Sequence, residues 1–468
     1  MGNSLPGEEE SRMHLVSDHI VEGRPGPNFP RTYPTLPDVR LTDIRAFTGG
    51  QPWADYAAMR EQAPVMWHEG PRTGGADAGV GFWAVTGYED VKRVNGDPDT
   101  FSSEAGGILM GLGPEETRHP TLFSASTNSM INLDGRPHRQ LRREHMPYFT
   151  ASYVKALRAR VGGEVTRLLD AMAPLGKCDF VEKFAQRLPI FTLCEMLGVP
   201  AEDRERFIGW IHFLELAQQV AAEQIEQLAG LSEPSPQIAA FIELFNKNVG
   251  EMFEYGRDML AKRRADPRDD LMSAIANAEV EGERLPGEYL DGAWLLIVFA
   301  GNDTTRNSLS GAMKLFTEHP EQKARLQADD GLLTNAVHEI TRMVSPVIYM
   351  RRTATRDVEL NGQMIAEGEK VIMYYGAANR DPAMFPDPDR FDITRANAEK
   401  NIAFGYGPHI CIGRMTAQVQ LEEAYRQIFQ RFPDIRWSGG IDIAPNNFVH
   451  ALRRLEVEFT PERQARAA

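Results

Sequence analysis

The stretch that decides the fold is Phe-Gly-Tyr-Gly-Pro-His-Ile-Cys-Ile-Gly, at residues 404–413. It places Cys411 in a tight loop whose glycines let the backbone approach a flat ligand closely. Helix-forming sequence follows at residues 414–423, so the sulfur should lie near a helix N-terminus, where backbone N–H groups stabilise a thiolate. An isolated cysteine in such a turn would more often be a buried apolar residue. The whole pattern instead favours a thiolate that binds a haem iron.

The same stretch resembles the cysteine-ligand signature of the cytochromes P450, in which a Phe, a Gly, the Cys and a second Gly stand at fixed spacings. Phe404, Gly407, Cys411 and Gly413 fill these four places. The resemblance implies that the chain binds haem b (iron protoporphyrin IX) through the Cys411 thiolate, with Phe404 and Gly413 beside the cofactor. It also implies a mainly α (α+β) protein with the cytochrome P450 fold, a helix-rich body with small peripheral β-sheets that encloses the haem.

Composition and charge restrict the class of protein further. Of the 468 residues, 42% are hydrophobic and 25% are charged, which is ordinary for a globular protein. The formal net charge of −15 opposes binding to nucleic acid, because the phosphate backbone would be repelled. Three cysteines are too few for a disulfide framework, and no apolar stretch is long enough to cross a bilayer. We therefore expect a cytoplasmic protein without a membrane anchor or nucleic-acid partner, and a monomer.

The chain is predicted to consist of an arm and one domain. Residues 1–40 are polar and proline-rich, which indicates an extended arm over the surface. Residues 41–468 are predicted to form a single cytochrome P450 domain. Its parts are a small β region at 63–99, helices from about 137 to 345, a hairpin at 356–375 around Asn361-Gly362, and a small sheet at 435–460.

A second chemical motif, Ala-Gly-Asn-Asp-Thr-Thr at residues 300–305, follows an apolar helical run. Gly301 lets a flat ligand approach the backbone, and Thr304 can bond to a carbonyl one turn back. The alternative is a helix that merely bends at Gly301. The motif resembles the oxygen-activating helix of P450s, which implies that Ala300 and Gly301 border the haem. On this reading Thr304 donates a hydrogen bond to dioxygen and Asp303 relays protons, as the catalytic pair.

Glu339 and Arg342 lie three residues apart in a helical stretch and therefore share a face. Alone, such a pair would be an ordinary surface salt bridge worth about 0.3–0.5 kcal/mol. Arg390 follows in Pro-Asp-Arg-Phe at residues 388–391. The order resembles the P450 pattern in which a later arginine joins a Glu–Arg pair and braces the cysteine loop from behind. We therefore assign these three residues to a structural ion network.

The two haem propionates need cationic or donor partners, because an unpaired buried carboxylate is costly. His138 and Arg142 are four residues apart and share a helix face. The resemblance implies that both contact the propionates, together with His409 and Arg352. Strand alternation allows only one of Arg351 and Arg352 to face inward, and we choose Arg352.

Two less specific segments are candidates for covering the haem. Residues 104–130 are long and glycine-rich, which is typical of a lid or a connector. A proline-containing break at 231–236 separates two amphipathic helices. By position, both match the mobile access region of P450s. The candidate residues for the walls of the substrate pocket are Ile108, Leu109, Val347, Ile348 and Phe448.

The resemblance extends from about residue 40 to 460 and implies a soluble bacterial monooxygenase, which inserts one oxygen atom of O2 into a substrate C–H bond. Residues 300–308, 101–108 and 350–354 look similar to those of bacterial P450s that act on alkanes, terpenes and steroid side chains. We therefore expect a hydrophobic small molecule (terpenoid, steroid, alkane or aromatic hydrocarbon) as substrate. Because no reductase is fused, a ferredoxin and a ferredoxin reductase should supply electrons. The basic residues that an acidic ferredoxin would meet are Arg136, Arg139, Arg143 and Arg414, which could equally be a solvated face.

Three alternatives remain open. One is a peroxide-dependent fatty-acid hydroxylase, which would not need Asp303 and Thr304. Another haem-thiolate enzyme, such as an isomerase or a coupling enzyme, would act without net oxygen insertion. The third is a haem-binding sensor, which has no need to split dioxygen and so leaves the acid–alcohol pair unexplained.

Overall fold

The computed structural model describes residues 13–15, 32–70, 80–109, 119–228, 235–280 and 282–462. Its α-helices are α1 Trp53–Gln62, α2 Tyr88–Gly96, α3 Pro120–Thr127, α4 Gly135–His145, α5 Ala151–Met172, α6 Arg187–Leu197, α7 Arg204–Leu228, α8 Pro236–Ala265, α9 Leu271–Ala276, α10 Gly287–Ala300, α11 Asp303–Glu318, α12 Pro320–Ala328, α13 Leu333–Val344, α14 Tyr375–Ala378 and α15 Arg414–Arg431. Its strands are β1 Met13–Leu15, β2 Thr32–Pro34, β3 Val65–His68, β4 Phe82–Val85, β5 Phe101–Ser102, β6 Lys177–Asp179, β7 Glu279–Val280, β8 Glu283–Arg284, β9 Tyr349–Ala354, β10 Val358–Leu360, β11 Gln363–Ile365, β12 Lys370–Tyr374, β13 Arg436–Ala444 and β14 Ala451–Glu458. The predicted mainly α (α+β) class is confirmed.

The strands form small sheets beside the helical body. The largest has the order β3-β4-β12-β9-β5, in which β12 pairs with β4 in parallel and the other pairs are antiparallel. A second sheet joins β13 and β14, which the alternation at 435–460 predicted, to β6, which the sequence analysis did not predict. The hairpin of β10 and β11 turns at Asn361 and Gly362, whose φ values of 49° and 76° suit the predicted Asn-Gly turn. Strand β12, which the sequence analysis placed with this hairpin, belongs to the five-stranded sheet instead.

The region 63–99 is not purely a β region. It contains β3 and β4, but helix α2 follows directly after β4. The buried residues of α2 include Val91 and Val94, three apart, so the helix covers the five-stranded sheet with one apolar face. The end of this unpredicted helix reaches the cysteine loop, as described below.

Helix α11 occupies the middle of the molecule and packs against α13 and α15. Leu309, Met313 and Phe316 on this helix are almost completely buried. The ring of Phe316 lies edge-on to Phe429 of α15 at a centroid distance of 5.0 Å. The hydroxyl of Tyr425, also in α15, donates to the Leu309 carbonyl at 2.5 Å. Because α15 begins directly after the cysteine loop, this packing fixes the start of α11 relative to Cys411.

The folded body begins before residue 41. Tyr33, in β2, is 2% exposed and belongs to the core cluster behind the large sheet, and Val39 is buried in a neighbouring cluster. Residues 33–40 of the predicted arm therefore pack against the domain, because the aromatic and aliphatic side chains there find apolar partners on the sheet. Residues 1–12 and 16–31 of the predicted arm lie outside the described residues.

Replacing Tyr33 with alanine should lower the free energy of unfolding by about 3 kcal/mol, as is usual for deleting a buried aromatic ring. The Tyr33 ring stacks on Trp83 at 5.2 Å and meets Trp67 edge-on at 4.7 Å. Its hydroxyl donates to Glu369 at 3.4 Å, so Tyr33→Phe should cost only about 1 kcal/mol. Urea unfolding measures both. Equal midpoints for Tyr33→Ala and the wild type would show that residues 32–40 are not part of the folded unit.

Within the described ranges, no helix combines the length and the apolar character needed to cross a bilayer. The three cysteines all lie in these ranges and are unpaired, with Cys194 buried, Cys178 half-buried and Cys411 exposed. Cys411, unlike the buried Cys194, is therefore accessible to a ligand.

Candidate active site

The loop that carries Cys411 is closed by its own backbone. The N–H of Cys411 donates to the Phe404 carbonyl at 2.8 Å. Gly405 and Gly407 have φ values of 73° and 69°, in the left-handed region that glycine tolerates best. A Cβ at Gly407 would also lie 2.8 Å from the carbonyl oxygen of Asn95 in α2. The signature glycines therefore permit both the turn and the close docking of α2 onto the loop.

Cys411 combines solvent exposure with a densely packed protein environment. The residue is exposed, yet burial raises the pKa of its thiol, so protein atoms surround the sulfur on most sides. The N–H groups of Gly413 and Arg414 and the charges of Arg142 and Arg414 act in the opposite direction and favour the thiolate. This donor set suits a thiolate that binds a metal cation, as the sequence predicted.

A second accessible surface lies where α10 gives way to α11. Ala300 and Gly301 are exposed, whereas Val298 before them and Asn302 after them are buried. At Ala300 and Gly301 the otherwise buried helix exposes a small surface with little side-chain bulk, against which a flat ligand can pack. This exposure supports the prediction that Ala300 and Gly301 lie close to the haem.

The predicted acid–alcohol pair starts α11. The hydroxyl of Thr304 donates to the Ala300 carbonyl at 3.0 Å, which confirms the local bond predicted from sequence. The Asp303 carboxylate accepts from the Asn302 side-chain amide at 3.1 Å and lies 3.6 Å from the Arg306 guanidinium. Asn302 and Arg306 were not identified from the sequence. They hold one oxygen of a partly exposed carboxylate in place at the end of a helix.

Three of the four predicted propionate partners lie around the cysteine loop. The imidazoles of His138 and His409 stack at a centroid distance of 4.1 Å. Arg142 donates to the carbonyl of Ile410 at 2.5 Å. His409 Nε2 lies 3.3 Å from Asp134, a carboxylate that the sequence analysis missed, so Nδ1 is the nitrogen left for another acceptor. The predicted set is thus brought together, with one acidic residue among its members.

Burial, hydrogen bonds and nearby charges shift the pKa values of this cluster's members. Burial, followed by the nearby charges of His409 and Arg142, lowers the pKa of His138 to about 3. For Asp134, burial alone would raise the pKa, but hydrogen bonds from His409, Ser102 and a backbone N–H lower it to about 2. A carboxylate that enters the cluster would therefore be stabilised in its ionised form.

Arg352, the fourth predicted partner, is 3% exposed and belongs to the same cluster. Burial lowers the pKa of Arg352, and its charge is one of the factors that lower the pKa of His409 after burial itself. Its guanidinium donates to two neutral oxygens, the Arg351 carbonyl at 2.8 Å and the Asn95 side chain at 3.4 Å. Within the described part of the chain it forms no salt bridge. A buried guanidinium whose hydrogen-bond acceptors are all neutral fits a site for a ligand carboxylate.

Both neighbouring arginines of β9 are buried, although alternation predicted that only one would be. Arg351 points away from the cluster and donates to the Leu109 carbonyl at 3.3 Å. The second buried position exists because residues 106–109 fold over the outer side of the strand, where the Arg351 N–H also donates to the Ile108 carbonyl. The choice of Arg352 as the residue nearer to His409 agrees with this arrangement.

The ion network contains a different arginine from the one predicted. Glu339 and Arg342 are fully buried and form two parallel hydrogen bonds of 2.8 Å. Arg395, not Arg390, supplies the second guanidinium, at 3.1 Å from Glu339. The Arg390 side chain is exposed and lies 3.8 Å from Asp392, while its backbone carbonyl accepts from Arg342 and Arg395. The chain folds back after residue 390, and this fold turns the Arg390 side chain towards solvent.

The candidate pocket residues divide into two groups. Ile348 is 1% exposed and packs in a core cluster with Tyr374, so its assignment to a pocket wall is wrong. Phe448 packs against the same cluster, with its ring 5.2 Å from Tyr349. Val347 and Leu109 are half-buried and keep some accessible surface, whereas Ile108 is buried; all three stay candidates. The covering segments themselves are only partly described, since residues 110–118 and 229–234 lie outside the described ranges.

Comparison with known proteins places these features in one family. The family model described as cytochrome P450 matches residues 113–434. The chain is 32% identical to the methyl-branched lipid omega-hydroxylase of Mycobacterium tuberculosis (strain ATCC 25618 / H37Rv), over 94% of this chain and 98% of that protein. It is 32% identical to the steroid C26-monooxygenase of the same strain (91% and 98%) and 30% identical to the linalool 8-monooxygenase of Pseudomonas putida (91% and 99%).

Solved structures give the same result. A Mycobacterium marinum cytochrome P450, CYP268A2, in complex with pseudoionone superimposes with a TM-score of 0.80 at 33% identity, covering 94% of this chain and all of that one. Cytochrome P450-153 from Novosphingobium aromaticivorans gives a TM-score of 0.76 at 29% identity, covering 90% and 98%. Both matches extend over nearly the whole of the compared chains.

Proposed function

The chain belongs to the cytochrome P450 family and is a haem-thiolate monooxygenase, and we propose that Cys411 binds the iron and that a C–H bond of a hydrophobic small molecule is oxidised. The observation that carries the proposal is the position of Cys411. The residue is exposed, in a loop whose N–H groups and neighbouring arginines act in favour of the thiolate against the effect of burial. The cluster of His138, Arg142, Arg352 and His409, in which His138 and Arg352 are buried, is suited to hold the two haem carboxylates.

When bound, haem supplies dioxygen activation and the transfer of one oxygen atom to the substrate. The protein supplies the environment for that chemistry. Asp303, whose side chain is 24% exposed, exchanges protons with solvent, and the Thr304 hydroxyl one residue further carries them to the cleft. In the structure the single Thr304 O–H donates to the Ala300 carbonyl and leaves the oxygen able to accept another hydrogen bond, so the O–H must rotate away from that carbonyl to donate into the cleft.

We infer the substrate class from the relatives and from the candidate pocket. The similar proteins are named for a methyl-branched lipid, a steroid and linalool, all of which are largely apolar. The candidates Val347, Ile108 and Leu109 are aliphatic, and Val347 and Leu109 are partly accessible. A lipid, steroid or terpenoid is therefore the proposed substrate of this chain.

The test is a screen of such compounds for a spin-state change of the haem, followed by turnover under 18O2 with a ferredoxin and a ferredoxin reductase. We expect one labelled oxygen atom in the hydroxylated product. Turnover that needs hydrogen peroxide and no ferredoxin would instead identify a peroxide-dependent hydroxylase. A product that contains no oxygen from O2 would identify an isomerase or a coupling enzyme.

The proposed electron donor is an acidic ferredoxin. Arg136, Arg139, Arg143 and Arg414 are all exposed, and the last of these begins the helix that follows the cysteine loop. Exposed cations of this kind steer an acidic protein to the face behind Cys411, in spite of the net charge of −15. The rate of reduction by the ferredoxin should therefore fall steeply as ionic strength rises.

Replacing Thr304 with alanine should uncouple electron consumption from product formation. Loss of a positioned proton donor typically lowers the catalysed step by about 100-fold or more. We expect NADH oxidation to continue while hydroxylated product falls at least tenfold and reduced oxygen accumulates. Thr304→Ser keeps the hydroxyl and is the matched control, with coupling close to that of the wild type. Tight coupling in Thr304→Ala would contradict the proton-delivery role.

A further inference from the structure

Asn95, near the C-terminus of α2, is a buried residue that contacts both the cysteine loop and the propionate cluster. Its side chain is 2% exposed. Its backbone carbonyl lies against Gly407, where any side chain would collide with it. Its amide meets Arg352 of β9 and Tyr375, which follows β12. Asn95 thus joins three separate elements at one edge of the cleft.

The hydrogen bonds of Asn95 use only half of its amide. The oxygen Oδ1 accepts from Arg352 Nη2 at 3.4 Å and from the Tyr375 hydroxyl at 3.2 Å. The nitrogen Nδ2 is buried and has no acceptor among the described residues. The two donors also fix the orientation of the amide, because a flipped amide would place its N–H groups against the guanidinium.

A buried N–H group without an acceptor is unfavourable, and so is a buried guanidinium with only neutral acceptors. Both conditions occur side by side at Asn95 and Arg352. One ligand satisfies them together if it is an anion with more than one acceptor oxygen. A carboxylate has this chemistry, and the adjacent His409 carries a further ring nitrogen that can donate to it.

We propose that Asn95 is a haem-positioning residue, whose Oδ1 orients Arg352 and Tyr375 while its Nδ2 donates a hydrogen bond to the haem carboxylate that Arg352 binds. The proposal rests on the proposed placement of the haem at Cys411. Sequence motifs gave no indication of it, since Asn95 lies in a helix that was not predicted and far along the chain from Cys411. Tyr375 acts through Asn95 by holding the amide in place.

The test measures the rate at which haem leaves the reconstituted holoenzyme for apomyoglobin, using two forms of the cofactor. Protohaem has free carboxylates, whereas its dimethyl ester has none. Asn95→Asp is the main variant, because it keeps the shape and the acceptor for Arg352 and Tyr375 but replaces Nδ2 with a carboxylate oxygen. We expect protohaem loss to accelerate about tenfold or more, the usual effect of losing a hydrogen bond to a charged group.

The dimethyl ester distinguishes this role from a merely structural one. With the ester, Asn95→Asp and the wild type should lose haem at similar rates, because no carboxylate is left to repel. Equal acceleration with both cofactors, or no acceleration with protohaem, overturns the proposal. Asn95→Leu provides a second test with the same expected difference between the cofactors, and the propionate bending bands in resonance Raman spectra should shift in both variants.

Tyr425→Phe is the control for Tyr375→Phe. Both hydroxyls are buried, but that of Tyr425 donates to the Leu309 carbonyl away from the cluster. Only Tyr375→Phe should accelerate protohaem loss, by a few-fold. Two results separate this inference from the proposed function. If the wild type lacks thiolate-type haem absorption, both the proposed function and the role of Asn95 are contradicted. If the wild type has that absorption and the Asn95 variants retain haem as it does, only the role of Asn95 is contradicted.

Discussion

Replacing Arg395 with alanine should destabilise the protein and weaken haem retention, whereas replacing Arg390 should do neither. Arg395 donates to Glu339 at 3.1 Å and also to the backbone carbonyls of Pro386, Asp387 and Arg390. Its side chain is 8% exposed, against 64% for that of Arg390. Removing a partner of a buried ion pair typically costs about 3–5 kcal/mol, because the remaining charge and carbonyls are left unpaired.

Glu339→Ala should have the larger effect of the two network variants. It removes the carboxylate shared by Arg342 and Arg395 and leaves both guanidinium groups in the interior. For Arg390→Ala the backbone carbonyl that serves the network is kept, so the free energy of unfolding should change by no more than about 0.5 kcal/mol. Urea unfolding and the haem content of the purified variants measure both quantities. Equal losses in Arg390→Ala and Arg395→Ala would show that the exposed arginine belongs to the network after all.

The ion network also shows what the sequence could and could not predict. Glu339 and Arg342 were found because their contact is local, one turn apart on a helix. Arg395 was missed because the segment after residue 378 is irregular and held by side chains that bond to carbonyls. In such a segment, spacing does not determine which of two arginines turns inward.

The same distinction applies to the rest of the fold and site. The Asn361-Gly362 hairpin and the bond from Thr304 to Ala300 follow from neighbouring residues, and both were predicted correctly. Tyr33 was assigned to an arm because its partners, Trp67 and Trp83, lie beyond any local pattern.

The contacts of Asn95 with Arg352 and Tyr375 join residues 257 and 280 positions apart. Contacts at such separations depend on how whole elements pack, and a single sequence carries no signal for them. Family resemblance supplied the site residues that stand at fixed motif positions. It could not supply Asn95, Asp134 or Arg306, which no motif marks.

Replacing Cys411 with serine should abolish both the thiolate-type haem spectrum and monooxygenase activity. A serine hydroxyl does not ionise readily, so the variant cannot donate the electron density that a thiolate supplies for cleavage of the O–O bond. The measurement is the absorption spectrum of the reduced, carbon-monoxide-bound protein. We expect the strongly red-shifted Soret band of the wild type to be absent in Cys411→Ser, together with hydroxylated product.

Cys178→Ser and Cys194→Ser are the matched controls, because they change the same side chain at the two other cysteines. Burial raises the pKa of Cys178 to about 11 and that of Cys194 to about 12, so neither thiol supplies a thiolate at neutral pH. Cys194 is fully buried within α6, and its replacement should lower stability without moving the Soret band. Burial raises the pKa of Cys411 as well, but there two backbone N–H groups and two arginines act against it, and Cys411 is the exposed one of the three cysteines. A red-shifted band that survives in Cys411→Ser but disappears in either control would assign the iron ligand to a different cysteine and remove the basis for the proposed site.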